Sequence, residues 1–149
     1  MANKHYYFAY GMNCDTHEMQ YESFCRPIGK AKLVGWHLEM QCFVNIVPGG
    51  EMEGVLWEID DETLEQLDKR EGYPHLYTRQ VINVFHENET HGAIVYVMTD
   101  HYTRLGRERM PSTHYVISIM RGYKTFGIPQ SQITDAINSL TPTLNYENH

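Results

Sequence analysis

One carboxylate in this sequence stands where stability alone would not put it. The segment Leu64-Glu65-Gln66-Leu67-Asp68-Lys69-Arg70-Glu71-Gly72 reads as the last turns of a helix. At about 100° per residue, Leu64 and Leu67 mark the core-facing stripe and Glu71 falls between them. The outer face carries Glu65 and Lys69 at i, i+4 spacing. Burial disfavours a charged carboxyl, and the negative end of the helix dipole costs a nearby anion about 0.3–1 kcal/mol. Both effects push Glu71 toward neutrality, where a general acid–base works. The same letters also fit a helix that ends early, with Glu71 in solvent or paired with Arg70 or Arg79.

A second candidate is Tyr10-Gly11-Met12-Asn13, where the aromatic run Tyr6-Tyr7-Phe8-Ala9-Tyr10 meets a glycine and then a helix start. Glycine allows close approach of backbone to a ligand, and N–H groups at a helix start can hold an anion or oxyanion. A plain tight turn reads the same way.

The elements that must hold these groups follow from hydrophobic period and turn residues. A buried strand is expected over residues 6–10. Asp15 three residues before Glu18 has capping-box spacing, which predicts a short helix to about Phe24, broken by Pro27 and Gly29. Residues 33–38, 42–47 and 54–59 read as strands, with Pro48-Gly49-Gly50 as a turn between the last two. Asp60-Asp61 caps a helix over residues 62–70, which Gly72 can end in a left-handed conformation. Strands are expected over 79–85 and 93–98, joined as a hairpin by residues 87–92. A long helix over 113–126 begins at Pro111-Ser112 and stops at Gly127, and a shorter one covers 130–140. The polar tail, residues 141–149, is expected to fray. Many strands with a few interspersed helices predict one α+β domain over residues 1–149, on a curled or barrel-like mixed sheet.

Composition narrows the function classes. The net charge of −7 comes with scattered Lys and Arg, so nucleic acid is not an expected partner. No run approaches the roughly 18 apolar residues of a membrane span, so no membrane partner is expected. The opening residues lack an apolar signal segment, which makes the cytoplasm the expected compartment. Cys14, Cys25 and Cys42 show no CxxC spacing, and the nine histidines form no HxxxH or HExxH arrangement. Neither a disulfide framework nor a zinc site is expected. Cys14 has no partner base at fixed spacing that would make it a nucleophile. Tyr115, Ile119, Met120, Tyr123 and Phe126 form a helical stripe that reads as core.

Four segments together resemble the gamma-glutamylcyclotransferase-like family. Tyr7-Phe8-Ala9-Tyr10-Gly11-Met12-Asn13 resembles that family's opening "YFAYGSN". Leu67 to Gly72 with Tyr77-Thr78-Arg79 is similar to "LDxxEG…YxR". Ile94-Val95-Tyr96-Val97 resembles the strand after it, and Pro111-Ser112-Thr113-His114-Tyr115 the "PSxxY" opening of a late helix. The resemblance implies a small mixed β-barrel flanked by helices, with the active site at one mouth. It puts the catalytic role on Glu71 and substrate binding on Tyr7, Phe8, Ala9, Tyr10, Gly11, Met12, Asn13, Tyr77 and Tyr96. The activity implied is an acyltransferase-type cyclisation that releases 5-oxoproline from a gamma-glutamyl amide, without metal or cofactor. The partner implied is a small gamma-glutamyl molecule, and the assembly expected is a monomer or homodimer. Met12 stands where the family usually has Ser, so a hydroxyl contact is lost and a thioether put in its place. A protein that captures a small ligand without turnover, or one that works through its surface, is the alternative use of the same fold.

Overall fold

The computed structural model describes residues 3–100 and 110–147, with side chains for 3–100 and 110–140. Its strands are β1 (Lys4–Ala9), β2 (Cys25–Gln41), β3 (Phe43–Asp60), β4 (Tyr77–His86) and β5 (Glu89–Met98). The helices are α1 (Asp61–Arg70), α2 (Thr113–Phe126) and α3 (Ser131–Glu147), with a 3₁₀ turn at Met12–Cys14. The side chains of 141–149, where a frayed tail is expected, lie outside the described residues.

The strands close into a barrel in the order β1-β3-β2-β4-β5. β1 lies antiparallel to β3, Lys4 opposite Asp60 through Ala9 opposite Val55, and closes the barrel on β5 by parallel pairs Tyr6–Ala93 and Tyr7–Ile94. Closure gives β1 a strand neighbour on both sides. Phe8, Leu33, Val55, Leu56, Ile59, Val84, Ala93 and Val95 are fully buried in the barrel. α2 and α3 add Ile119, Tyr123 and Ile133 to that core. The α+β mixed barrel with flanking helices matches the expected class.

Three local readings are corrected. Pro48-Gly49-Gly50 does not reverse the chain: β3 runs through it, and Trp36 pairs with Pro48 while Val34 pairs with Glu51. The positive φ of Gly49 (112°) and Gly50 (75°) is absorbed as a bulge opposite Gly35, held by His37 Nδ1 on the Gly49 carbonyl at 2.9 Å. The reversal lies instead at Cys42, with φ 75° between paired Gln41 and Phe43. No α-helix forms over residues 15–24, where only 16–19 are turns. Asp15 accepts the His17 N–H on Oδ1 at 3.2 Å and binds Arg121 on Oδ2, and the Glu18 carboxylate that would complete the capping box is held by Arg70 at 2.6 Å. The β4–β5 reversal needs only Glu87 and Asn88, since residues 89–92 pair as strand.

Candidate active site

Helix α1 places Glu71 by its two ends. Asp60 caps the start, its Oδ1 accepting the Thr63 N–H at 2.9 Å. At the other end Gly72 has φ 64°. Its N–H bonds the Lys69 carbonyl at 3.2 Å, and the Tyr73 N–H bonds the Asp68 carbonyl at 2.9 Å. That pair is a Schellman closure, and it makes Glu71 the C-cap, still helical at φ −83° and ψ −2°. Leu67, fully buried, anchors the same turn.

The Glu71 side chain is half-buried, and its Oε1 accepts from Asn13 Nδ2 at 2.9 Å. Burial raises its pKa above the ordinary glutamate value, while the Arg70 charge and the Asn13 hydrogen bond pull the other way. Neither arginine offered as an ion-pair partner bonds it. Arg70 donates to the Glu18 carboxylate and carbonyl, each at 2.6 Å. Arg79 binds both oxygens of Asp68, at 2.7 and 2.5 Å, and stacks over Tyr73.

Opposite Glu71, β1 ends in the 3₁₀ turn. Gly11 is the residue before it, and a Cβ there would lie 2.4 Å from Val44 Cγ2, so any larger residue would have to displace Val44. The first N–H groups of such a turn, those of Met12 and Asn13, have no acceptor within it. Asn13 is buried, and its Nδ2 also donates to the Tyr7 hydroxyl at 2.9 Å. Helix α2 presses on the turn from behind. At Gly122 a Cβ would sit 2.5 Å from the carbonyl carbon of Cys14.

Between the turn and Glu71 lies a cavity of about 180 Å³. Tyr7, Phe8, Tyr10, Gly11, Met12 and Asn13 line one side, and Glu71, Tyr77 and Tyr96 another. Ala9 does not line it; its carbonyl accepts from Cys14 Sγ at 3.2 Å. Met12 is part of the wall and does not fill the space. Phe43, Val44, Arg70, Leu76 and Tyr115 also line it and escape a reading from sequence. Tyr115 falls on a helical stripe that reads as core, and Phe43 and Val44 owe their position to the unforeseen reversal at Cys42. The one signal available for Tyr115 is its place in the Pro111-Ser112 segment.

The phenols of the wall are fixed by hydrogen bonds. Tyr10 donates to the Tyr96 carbonyl at 2.6 Å, Tyr77 to the Val44 carbonyl at 2.7 Å, and Tyr96 to Asp68 Oδ1 at 2.6 Å. Tyr115 accepts the Val44 N–H at 2.9 Å. Burial raises the pKa of each of them, and of Tyr7, so all stay protonated at neutral pH. Burial likewise pushes the Cys14 thiol far up, which leaves it a poor nucleophile. Among the described residues no group of His, Cys, Asp and Glu could hold a metal ion, and no helix is long and apolar enough to cross a membrane.

Set against known proteins, residues 7–116 match the family described as gamma-glutamyl cyclotransferase, AIG2-like. No curated protein matches the chain. Among solved structures, YkqA from Bacillus subtilis superposes with a TM-score of 0.75 at 26% identity, over 96% of this chain. This chain spans only 55% of that protein's length. A structure described as gamma-glutamyl cyclotransferase gives a TM-score of 0.70 at 25% identity, covering 85% of this chain and 82% of its own. An uncharacterised protein from Homo sapiens gives 0.69 at 26% identity with the same coverage.

Proposed function

The chain belongs to the gamma-glutamyl cyclotransferase, AIG2-like family, and from that premise we propose that it converts a gamma-glutamyl amide into 5-oxoproline and a free amine. The observation that carries this reading is a half-buried carboxyl, Glu71, facing the 3₁₀ turn across a cavity of about 180 Å³. A structure described as gamma-glutamyl cyclotransferase shares the fold over 85% of this chain, which supports it.

In this mechanism the Met12 and Asn13 amides hold the glutamyl group and polarise its gamma-carbonyl. Glu71, as carboxylate, removes a proton from the alpha-ammonium. The freed amine attacks the gamma-carbonyl carbon of the same molecule, and the ring closure supplies the proximity. The oxyanion that forms is held by the turn amides, each well-placed donor contributing about 3–4 kcal/mol. Glu71 passes its proton to the departing nitrogen, the amide C–N bond breaks, and a second proton follows the same route from the ring nitrogen. Both protons leave the attacking nitrogen and end on the released amine, and the lactam keeps one hydrogen. Tyr7, Phe8, Tyr10, Tyr77 and Tyr96 shape the cavity around the substrate. The partner is a small molecule, and the compartment proposed is the cytoplasm.

The test is a panel of gamma-glutamyl amides, with 5-oxoproline followed for wild type and Glu71→Gln. Glutamine keeps the shape without the titration, so turnover should fall about 10²–10⁴-fold. Equal turnover in both proteins would remove Glu71 from the reaction. Ligand binding without product in either would favour a capturing protein.

A further inference from the structure

Asn13 is joined to Glu71 in a way that the cyclisation alone does not explain. Its Nδ2 carries two hydrogens, and both are committed, one to the Tyr7 hydroxyl and one to Glu71 Oε1, each at 2.9 Å. The orientation of the amide follows from chemistry, because a carbonyl turned toward the ionised carboxylate would repel it. Asn13 Oδ1 is then buried without a partner among the described residues, on a residue that is 5% exposed and lines the cavity. Buried polar atoms are rarely left so, and on a residue that lines a cavity the missing donor can come from a ligand.

Two consequences follow from the donor inventory. An amide N–H cannot accept a proton, so with Oε1 held by Asn13 a protonated Glu71 carries its hydrogen on Oε2. Tyr7 accepts from Asn13, which leaves its own hydroxyl hydrogen free for the cavity. We propose that Asn13 is a positioning residue of the reaction: it reserves Oε1 of Glu71 as a fixed anchor, leaves Oε2 as the proton carrier, and offers Oδ1 to an N–H of the substrate's amine. The identity of that amine rests on the cyclotransferase reading; the arrangement of Asn13 and Glu71 does not. The hydrogen bond from Asn13 also favours the ionised form of Glu71, in opposition to burial.

The experiment has one arm without substrate and one with it. In the free protein, the Glu71 carboxyl is titrated by ¹³C NMR in wild type, Asn13→Ala and Asn13→Asp. Asp is nearly isosteric and keeps the test alive if Ala does not fold. The midpoint should rise in both variants, more in Asp, whose carboxylate would face Glu71 at hydrogen-bond distance. A midpoint unchanged in a folded variant overturns the proposal, because it would mean that the Asn13 hydrogen bond does not act on the Glu71 carboxyl. With substrate, Asn13→Ala should raise KM about tenfold, and the acid limb of kcat/KM should move up with the NMR midpoint. KM and limb left at wild-type values would likewise overturn it. If wild type turns over no gamma-glutamyl compound, the proposed function fails while the NMR arm still decides the role of Asn13.

Discussion

Glu71 and Asp60 bracket helix α1 and respond to pH in opposite directions. Burial raises the folded-state pKa of Glu71 above its unfolded value of about 4.3. The folded protein therefore binds that proton more tightly, and the stabilisation this gives is complete below the unfolded pKa and lost as pH rises through the folded one. At neutral pH the ionised side chain weakens the fold. Glu71→Gln should thus unfold at a higher temperature than wild type at pH 7–8, with the difference shrinking toward pH 4, as scanning calorimetry would show. A lower Tm at pH 7 would mean that Glu71 is a structural anchor. Asp60 behaves conversely. Ser23, the Thr63 amide and the Phe24 amide hold it down at about 2, so its contribution is present above about 3.9 and lost as pH falls toward that lower value. A helical period and a following glycine single out Glu71 in the sequence, but they do not separate a cavity-facing carboxyl from one in solvent or in an ion pair. The hydrogen bond from Asn13 is not legible there, since nothing local relates residues 58 positions apart.

At the level of elements, the turn that carries the amides is held in place by helix α2. A Cβ at Gly122 would meet backbone atoms of Cys14 and Asp15 at 2.5 and 2.6 Å, and backbone cannot step aside as a flexible side chain can. Gly122→Ala should cost about 1–3 kcal/mol, read by urea denaturation. Turnover per folded molecule should fall as well, because the displaced turn moves Asn13. Unchanged stability would show that α2 has room to shift. Helices α1 and α2 are legible in the sequence because caps are local: Ser112 accepts the Tyr115 N–H at 3.2 Å, and Gly127 closes α2 at φ 75°. The long β2–β3 hairpin is less so. Pro48-Gly49-Gly50 carries every mark of a chain reversal, yet cross-strand pairing on both sides turns it into a bulge, and pairing is a property of two segments at once. The same ambiguity hides Phe43 and Val44, whose place in the cavity wall depends on where the hairpin turns.

Taken as a whole, the barrel is unevenly sewn. β1 meets β3 from Lys4–Asp60 to Ala9–Val55, whereas β2 meets β4 in register only at Lys32–Phe85. Amides around Lys32 and Phe85 should exchange with solvent through local opening, and those of Phe8 and Leu56 only through global unfolding. Hydrogen-exchange mass spectrometry under native conditions checks this, and equal protection at both places would contradict it. The cavity draws its wall from Tyr7, Val44, Glu71, Tyr96 and Tyr115, in segments spread along most of the chain. A nascent polypeptide still threaded in the ribosome at residue 100 holds the carboxylate and the glycine bend but lacks Tyr115, one of the residues of the wall. The chamber is therefore complete only once synthesis has passed Tyr115, so a ligand that needs the whole wall cannot bind a shorter nascent chain.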